Sequence, residues 1–531
     1  MSNESAQDHT EVEWQFDAPE GLDRASDWLR AANVPGYTVQ PGALKQLVDR
    51  YYDTPDWRLN HAGFTCRVRQ KGDSAELTMK GQATSVDGMR SRREMNESVP
   101  MGEDDIFAIA SGPVGAAVKA VRGRQPMQQL FTVRTARQLF HLSDDGGRIA
   151  EIAVDDTTVE SETGAPGSLA RIEVEVDPDG VTRAQRFVDL FVATARLGPA
   201  SKSKFETALT AAGLTISPKS PDLGATGVNA SMTAADAGFA IMRKQFGIFL
   251  ANEASTRLGE DIEGLHDMRV AARRLRAAMS AFGAYLPPIT QRYREQLGWV
   301  AAALGEVRDL DVQLEDMVAW RSGFDAQQAA ALDTVEQLFR DRRTAARRRM
   351  LFALDSRRYE GFVMRFSRFL ERGPLRTFLP GRQPLVQVAP QLLERRYKKL
   401  RKLGDAIEKT SPPEEYHILR IAGKKLRYAL EFMGPVYGAD SIAFSQRVTA
   451  LQDVLGRHQD AEVVIEALQE LGRTQGRRLA PPALLVMGAI SERNRVEAAR
   501  LRGEFPRVYK PLSGAEWTRL RKDFTKQARN L

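Results

Sequence analysis

The sequence predicts an α+β protein of two domains, a mostly antiparallel β domain followed by an all-α domain. Before about residue 212, apolar and polar residues alternate with a period of two in short segments, whereas after about residue 236 apolar residues recur every three or four positions. A stretch rich in Gly, Pro, Ser, Thr and Ala, residues 213–235, separates the two patterns and predicts a linker. A chain of 531 residues is also too long for one compact core.

The candidate strands of the first domain are short alternating runs bounded by Gly, Asp and Pro clusters. These runs are EVEWQF, GFTCRVRQ, AELTMKG, RIAEIAVDDTTV and RIEVEVD. Helical patterns interrupt them around residues 21–32 and 183–196, so we expect a sheet with accessory helices. Cys66 is the only cysteine, which excludes an internal disulfide and a sulfur-rich metal site, and we expect it to fill a strand.

The composition, with 42% hydrophobic and 27% charged residues, is typical of a soluble globular protein. No apolar run approaches the length of a membrane span, and the N-terminus lacks a basic region followed by an apolar run, so we expect cytoplasmic residence. Residues 1–235 carry 25 Lys and Arg against 33 Asp and Glu, whereas residues 236–531 carry 51 against 36. The second half is therefore strongly basic, which favours phosphate-bearing partners.

The helical half contains an internal repeat at an offset of 151 residues. HDMRVAARRLRAA, beginning at His266, aligns with HILRIAGKKLRYA, beginning at His417, and five of the first eleven positions are identical. At the same offset LGEVRDLDV at 304 falls on LGRHQDAEV at 455 without a gap. Two independent matches at one offset indicate a duplication, so we expect two similar helical bundles.

Each copy of the first motif predicts a helix with one basic face and one apolar face. His266, Arg269, Arg273 and Arg276 fall within about 80° of one another on a helical wheel, opposite a set of apolar residues. The second copy repeats this stripe with His417, Arg420, Lys424 and Arg427. A solvated face is the simplest alternative, but such a face normally mixes charges of both signs. A stripe of one sign, kept in both copies, favours a bound anion.

The nature of this anion follows from what the stripes lack. Nucleic acid is one alternative, but no aromatic residues for base stacking are interleaved and no DNA-binding motif is present. Metal binding by His266 and His417 is another alternative, and neither has ligands at clear spacing beyond Asp267. Linear polyphosphate fits better, because it presents closely spaced charges without bases.

Both pairs of motifs resemble the signature of the CHAD family over residues 236–520. The resemblance implies two four-helix bundles related by pseudo-symmetry, with a basic groove that binds inorganic polyphosphate. The implied polyphosphate-binding residues are His266, Arg269, Arg273, Arg274, Arg276, Arg308, His417, Arg420, Lys424, Lys425 and Arg427. His458 is a further candidate, and Asp309 and Asp460 are expected to brace neighbouring cations.

In the first half, the polar faces of the strands divide into acidic and basic ones. Glu11 and Glu13 alternate on one strand and Glu173 and Glu175 on another, and further strands carry cations in the same way. The remaining members of these faces are Glu151, Asp155, Arg67, Arg69 and Lys80. A solvated outer face is the ordinary interpretation, but if the sheet closes on itself the polar face becomes an interior. An interior with carboxylates and cations suits a metal-bound phosphoanhydride.

The order of motifs over residues 8–212 resembles the CYTH, or triphosphate tunnel metalloenzyme, family. The motifs are EVEWQ, YYDT, CRVR, LTMKG, RREMNE, FTVRTAR, EIAVD, IEVEV and SKSK. The resemblance implies an antiparallel eight-stranded tunnel that hydrolyses triphosphates with Mg²⁺ or Mn²⁺. The implied metal ligands, of which the first two are also implied in catalysis, are Glu11, Glu13, Glu151, Asp155, Glu173 and Glu175. The implied substrate-binding residues are Arg67, Arg69, Lys80, Arg92, Arg137 and Lys202, with Lys204 as a further candidate.

One position departs from the family pattern. The opening motif of the family is Glu-x-Glu-x-Lys, and Gln15 occupies the third position here. The loss of this charge leaves two hypotheses open. In the first, the protein is a metal-dependent inorganic triphosphatase, acting on tripolyphosphate or on nucleoside triphosphates, whose helical half recruits polyphosphate. In the second, it is a non-catalytic polyphosphate-binding module. Either hypothesis places it in the cytoplasm, with polyphosphate granules as the expected point of association.

Overall fold

The computed structural model describes residues 7–86, 89–100, 105–162, 167–512 and 514–529. The chain divides into two compact units, residues 1–219 and 220–531. Within the described residues, no helix combines the length and the apolarity needed to cross a membrane.

The first unit is built on a closed antiparallel sheet. Its strands are β1 Gln7–Asp17, β2 Thr38–Asp53, β3 Phe64–Lys71, β4 Ser74–Gly81, β5 Thr84–Val86, β6 Met89–Pro100, β7 Gln128–Asp144, β8 Gly147–Glu160, β9 Gly167–Val176 and β10 Gly198–Pro199. Eight of them pair in the order β1-β9-β8-β7-β2-β3-β4-β6, and β6 pairs again with β1. This last pairing closes the barrel, so the predicted eight-stranded antiparallel tunnel is confirmed.

Period-two alternation on β1 and β9 separates an apolar outside from a charged inside. Val12, Trp14 and Phe16 pack outward with apolar residues of β9 into one hydrophobic cluster. Burial of such a large side chain stabilises the fold by roughly 2–3 kcal/mol. Glu11 and Glu13, which alternate with these apolar residues along β1, consequently point into the barrel.

Six helices accompany the barrel. They are α1 Leu22–Ala31, α2 Arg58–His61, α3 Ile106–Ile109, α4 Pro113–Arg122, α5 Val181–Ala195 and α6 Lys204–Ala211. The two predicted helices correspond to α1 and α5, which cover the outer apolar cluster through Leu29 and Phe187. Cys66 is buried in β3, as expected, and burial raises the pKa of its thiol, which leaves it unreactive.

Where the structure describes it, the second unit consists of helices, short connections and one isolated bridge. Its helices are α7 Ala234–Ala251, α8 Glu253–Leu258, α9 Ile262–Ala281, α10 Ile289–Arg321, α11 Ala326–Ala331, α12 Asp333–Leu354, α13 Arg357–Arg372, α14 Leu385–Gly404, α15 Pro413–Gln475, α16 Pro481–Tyr509 and α17 Ala515–Arg529. Gly438, with φ 69° and ψ −150°, interrupts α15 and divides it into two segments.

The helix boundaries repeat at the offset seen in the sequence. Leu385, where α14 begins, lies 151 residues after Ala234, where α7 begins, and Pro413, the start of α15, lies 151 residues after Ile262, the start of α9. The shifted start of α10 falls two residues after the break at Gly438, and that of α12 falls three residues after the start of α16. The unit therefore contains two successive sets of four corresponding helices, and one hydrophobic cluster extends through both sets.

Candidate active site and candidate anion-binding groove

A charged cavity of about 280 Å³ runs inside the barrel. Six basic side chains line it: Arg67, Arg69, Lys80, Arg92, Arg137 and Lys204. Six acidic side chains line it as well: Glu11, Asp49, Glu76, Glu94, Glu173 and Glu175. The closure of the sheet thus gathers strand faces that are far apart in the sequence into one interior.

Ion pairs connect these opposite charges across neighbouring strands. Arg92 donates to Glu11 at 2.7 Å and to Glu13 at 2.6 Å. Lys80 contacts the carboxylate of Glu11 at 3.0 Å and that of Glu94 at 2.5 Å. Because both cations already hold carboxylates, the interior is close to neutral.

A second group of ion pairs lies around Asp155, which is fully buried. Arg137 donates to both of its carboxylate oxygens, at 2.7 and 2.6 Å, and to Glu173 at 2.6 Å. Lys204 donates to Asp155 at 2.5 Å and lies 3.4 Å from Glu173. Although burial alone would raise the pKa of Glu173, Lys204 and Arg137 hold it well below its ordinary value.

Glu13 behaves differently from the other carboxylates of the tunnel. It is only 1% exposed, and burial raises its pKa to about 8, with the negative charges of Glu11 and Glu173 adding to the effect against the opposing charge of Arg92. Such a carboxyl group takes up a proton at neutral pH in the free protein. The burial of Glu13 therefore disfavours its charged form.

The structure places four of the predicted tunnel residues outside the lining of this cavity: Glu13, Glu151, Asp155 and Lys202. Lys202 is exposed, and its ammonium group lies 3.5 Å from the Thr210 hydroxyl. Ser203 caps α6 in a capping box with Glu206, so the SKSK motif leads directly into a helix. Glu151 lies near the start of β8 and pairs with Arg148 at 2.8 Å, and it does not line the cavity either.

The second unit carries a groove of about 470 Å³ between α9 and α15. Arg273, Arg276, Lys424 and Lys425 line it, which brings together predicted residues from both copies of the repeat. Arg294 of α10 and Arg396 of α14 also line it, although the sequence interpretation did not select them. The apolar faces of both helices are buried, as the helical wheel predicted.

Several predicted groove residues already have partners. Arg274 and Arg427 both pair with Glu431, at 2.6 and 2.7 Å. Arg273 donates to the Tyr428 hydroxyl at 2.7 Å. These contacts orient the guanidinium groups and join the two copies.

The Leu-Gly blocks lie beside the basic helices. A Cβ atom built on Gly305 would lie 3.5 Å from Arg269 Nε, and one built on Gly456 would lie 4.0 Å from Arg420 Nε. In each copy, the glycine, which has no side chain, therefore allows the arginine to lie close to the backbone of the neighbouring helix segment. In the first copy, Asp309 pairs with Arg269 at 3.2 Å. In the second copy, the corresponding Asp460 interacts electrostatically with Arg420 and Lys424.

The other candidates of the helical unit lie in varied surroundings. Arg308 pairs with Glu315 at 3.3 Å, and His417 Nδ1 lies 2.5 Å from Gln459 Oε1. His266 is partly buried on α9. His458 is only 2% exposed and accepts a hydrogen bond from Arg502 at 3.0 Å, so it is an interior residue and not part of a groove surface.

Comparison with known proteins agrees with both halves of this geometry. A family model of the CYTH domain matches residues 22–209, and a model of the CHAD domain matches residues 240–469. The chain is a CYTH domain followed by a CHAD domain. Both predicted families are thereby confirmed. The CYTH family includes triphosphatases and adenylyl cyclases, and its triphosphate tunnel enzymes are generally metal-dependent.

Similar solved structures exist for each half. The CHAD domain from the plant Ricinus communis is 27% identical, with a TM-score of 0.47, and the match covers 54% of this chain and 95% of that one. PptA from Streptomyces chartreusis is 23% identical, with a TM-score of 0.43 and coverages of 53% and 100%. A putative adenylyl cyclase from Hippeastrum, described as having a dominant triphosphatase activity, is 16% identical, with a TM-score of 0.27 and coverages of 39% and 97%. No curated protein matches the chain.

The CYTH tunnel fits a hard divalent cation by its donor chemistry. Glu11, Glu13 and Glu173 supply carboxylate oxygens, which Mg²⁺ and Mn²⁺ prefer as ligands. Among the described residues, however, no three His, Cys, Asp or Glu side chains form a ready-made ligand set. The carboxylates are engaged by Lys80, Arg92 and other cations instead.

The CYTH domain has a second cavity of about 360 Å³ next to the tunnel, and both share the walls formed by Lys80 and Arg92. Arg90 also lines this adjoining cavity. Sequence reasoning missed Arg90, although its spacing of two from Arg92 on β6 places both on the same face. Asp49 and Glu94 were also missed, although the alternation along each strand places them on the same face as the lining residues.

In the CHAD domain, the groove depresses the pKa of one lysine. Burial lowers the pKa of Lys424 to about 7, and the neighbouring charges of Arg420, Arg273 and Arg269 lower it further in the same direction. Two of these arginines come from the first copy and one from the second. The two predicted stripes therefore face each other closely enough to repel.

Proposed function

We propose that this protein is a metal-dependent inorganic triphosphatase whose CHAD domain binds inorganic polyphosphate. The proposed CYTH domain comprises residues 8–212, the linker 213–235 and the CHAD domain 236–520. The observation that carries the proposal is the cavity of about 280 Å³, in which six Lys and Arg side chains lie among six carboxylates, a combination suited to a short phosphoanhydride with a divalent cation. Tripolyphosphate is the proposed substrate.

Binding in the tunnel is proposed to proceed by exchange of partners. Phosphate oxygens would replace the carboxylates on Lys80, Arg92 and Arg137, because these cations lie at the cavity surface. The carboxylates thus released would hold Mg²⁺ or Mn²⁺. We assign this role to Glu11, Glu13 and Glu173, with Asp155 and Glu175 next to them. The bound ion would neutralise phosphate charge and polarise the bond to be broken.

The remaining cations of the tunnel have positioning roles in this proposal. Arg69 is held by two hydrogen bonds to Asp49, at 2.7 and 2.8 Å, and Arg67 lies 3.8 Å from the same carboxylate. Lys204, placed by the cap at Ser203, takes the substrate role that the sequence interpretation gave to Lys202. Arg67 and Arg69 would contact phosphate from β3 and Lys204 from the start of α6, which favours one orientation of the chain.

The catalytic proposal is tested by phosphate release from tripolyphosphate with Mg²⁺ and with Mn²⁺. We expect metal-dependent release that is lost in Glu11→Ala and in Glu173→Ala. Glu160→Ala is the matched control, because Glu160 lies on β8 in an exposed pair with Arg134. Absence of release by the native chain with either metal would refute the catalytic proposal.

Polyphosphate binding by the CHAD groove is tested with long-chain polyphosphate at increasing salt. Arg273→Gln combined with Lys424→Gln removes two groove cations, so we expect weaker binding and a shallower salt dependence. Arg473→Gln combined with Arg495→Gln is the control, since both are exposed and pair with Glu three positions earlier. Equal affinity of the two double variants would contradict the assignment, and competition by RNA at physiological salt would favour nucleic acid instead.

A non-catalytic polyphosphate-binding module is the second candidate function. Gln15 favours it, because the opening motif lacks its lysine, and so does the ion-pair network that neutralises the tunnel. This candidate predicts that tripolyphosphate binds to the tunnel without being hydrolysed. Calorimetric binding measured in parallel with phosphate release separates the two functions.

A further inference from the structure

The side chain of Gln15 is fully engaged within the protein. It is 1% exposed, its amide nitrogen donates to Glu13 Oε1 at 2.8 Å, and its amide oxygen accepts from Arg171 Nη1 at 3.2 Å. Both ends of the amide are therefore satisfied. Gln15 is thus held in place by Glu13 and Arg171 and carries no positive charge to offer to a phosphate.

Arg171 explains why a neutral residue occupies position 15. It lies on β9 in register with Asp17, is 1% exposed, and pairs with Asp17 at 3.0 Å. The same guanidinium donates to the Lys202 carbonyl at 3.0 Å. A lysine at position 15 would bring a second positive charge next to this buried one, which is unfavourable in a poorly hydrated interior.

Arg90 brings a positive charge to the same end of the tunnel from β6. It is in register with Glu13, one strand away from Gln15, and donates to the Ala200 carbonyl at 2.5 Å. Arg171, Glu13 and Arg92 all act electrostatically on it, so these groups lie close together. Unlike Gln15 and Arg171, Arg90 lines the cavity that adjoins the tunnel.

We propose that Arg90 replaces the missing motif lysine as the phosphate-binding cation at this end of the tunnel. The proposal rests on the proposed function, since it assigns a further residue to the same substrate. Arg90 and Arg92 are two residues apart on one strand face, and Lys80 lines both cavities with them. These three cations form a continuous path along the wall, which a triphosphate can follow from the tunnel into the adjoining cavity.

The test compares Arg90→Gln, Arg90→Lys and Arg93→Gln in the full chain. Arg93→Gln is the matched control, because it removes the same charge one residue from Arg92 but on the opposite strand face, where Arg93 pairs with Asp8. We expect Arg90→Gln to raise KM and the calorimetric Kd for tripolyphosphate about tenfold with a smaller change in kcat. Arg90→Lys should recover part of the loss, and Arg93→Gln should match the native chain.

Equal KM and Kd for Arg90→Gln and Arg93→Gln would overturn the inference while leaving the proposed function intact. A native chain that neither binds nor hydrolyses tripolyphosphate would instead refute the proposed function. Thermal melting of each variant identifies a loss that comes from misfolding, and recovery in Arg90→Lys distinguishes a charge effect from such a loss.

A second pair of variants tests the reason given for Gln15. We expect Gln15→Lys alone to lower the melting temperature without lowering KM, because the new ammonium group faces Arg171. Combining it with Arg171→Gln should return part of the melting temperature. A Gln15→Lys variant with a native melting temperature and a lower KM would show that position 15 still binds substrate, and would contradict the assignment of Arg90.

Discussion

Lys424 should make the proposed affinity of the CHAD domain for polyphosphate depend on pH just above neutrality. Burial, together with Arg420 and Arg273, lowers the pKa of its ammonium group to about 7 in the free protein. A bound polyanion favours the charged form and raises this pKa again, so binding takes up a proton above pH 7. We therefore expect the affinity to fall as the pH rises from 7 to 8.5.

The magnitude follows from the fraction of charged lysine. With a pKa of about 7, roughly half of the side chains are charged at pH 7 and roughly one-thirtieth at pH 8.5, which gives at most about a 16-fold loss of affinity, or about 1.6 kcal/mol. Lys424 is partly exposed, so solvent screening reduces the effect and we expect about three- to tenfold.

The assay is titration of long-chain polyphosphate into the full chain at constant ionic strength, from pH 7 to pH 8.5. Lys424→Arg keeps a permanent charge, so its affinity should be nearly constant over this window. The stability of the free protein should change in the opposite direction and rise with pH between about 7 and 10.5, because only the unfolded chain then holds the proton. The same pH dependence in Lys424→Arg as in the native chain would refute the reasoning.

Three further changes test the tunnel, the helical core and the break in α15. Glu13→Gln should keep or raise the melting temperature at pH 8.5, because a carboxyl group whose pKa is raised to about 8 loses its stabilising contribution as the pH rises through that value. The same substitution should reduce phosphate release at least about tenfold. Unchanged release would exclude Glu13 from the reaction. Arg257→Met should cost about 3 kcal/mol in chemical denaturation, because buried Arg257 pairs with Glu253 and Asp355, and a cost below about 1 kcal/mol would show that repacking offsets the lost pairs. Gly438→Ala should cost about 1–3 kcal/mol, because the φ of 69° strains an alanine backbone, while the added Cβ meets no atom within 4 Å. A neutral result in the same denaturation assay would mean that the helix break relaxes.

The sequence predicted the tunnel well where strand periodicity was regular. Glu11, Glu13, Arg67 and Arg69 lie on the predicted inner faces, because alternation fixes the face of a side chain within a strand. Lys202, which the resemblance implied as a substrate-binding residue, lies outside the cavity, because a capping box at Ser203 starts a helix there. Glu151 has the predicted phase but lies near the start of β8, outside the lining of the cavity.

The helical half was predicted mainly by its repeat. Adding the offset of 151 residues to the first residues of α7 and α9 gives the first residues of α14 and α15. It could not identify Arg294 or Arg396 as groove residues, because neither belongs to a repeated motif and each reaches the groove from another helix. The buried position of His458 was hidden for a similar reason, since its partner Arg502 lies 44 residues away on α16.

By itself, the sequence determined the fold class, the two families and the faces that carry charge, because these depend on local periodicity and on repeated motifs. Only the tertiary structure decided which charges meet. Gln15 and Arg171 are 156 residues apart, and barrel closure and strand register bring them together. Electrostatic interaction depends on distance and burial, which local sequence does not specify. The missing lysine is therefore visible in the sequence, whereas the charges that surround its position are visible only in the folded barrel.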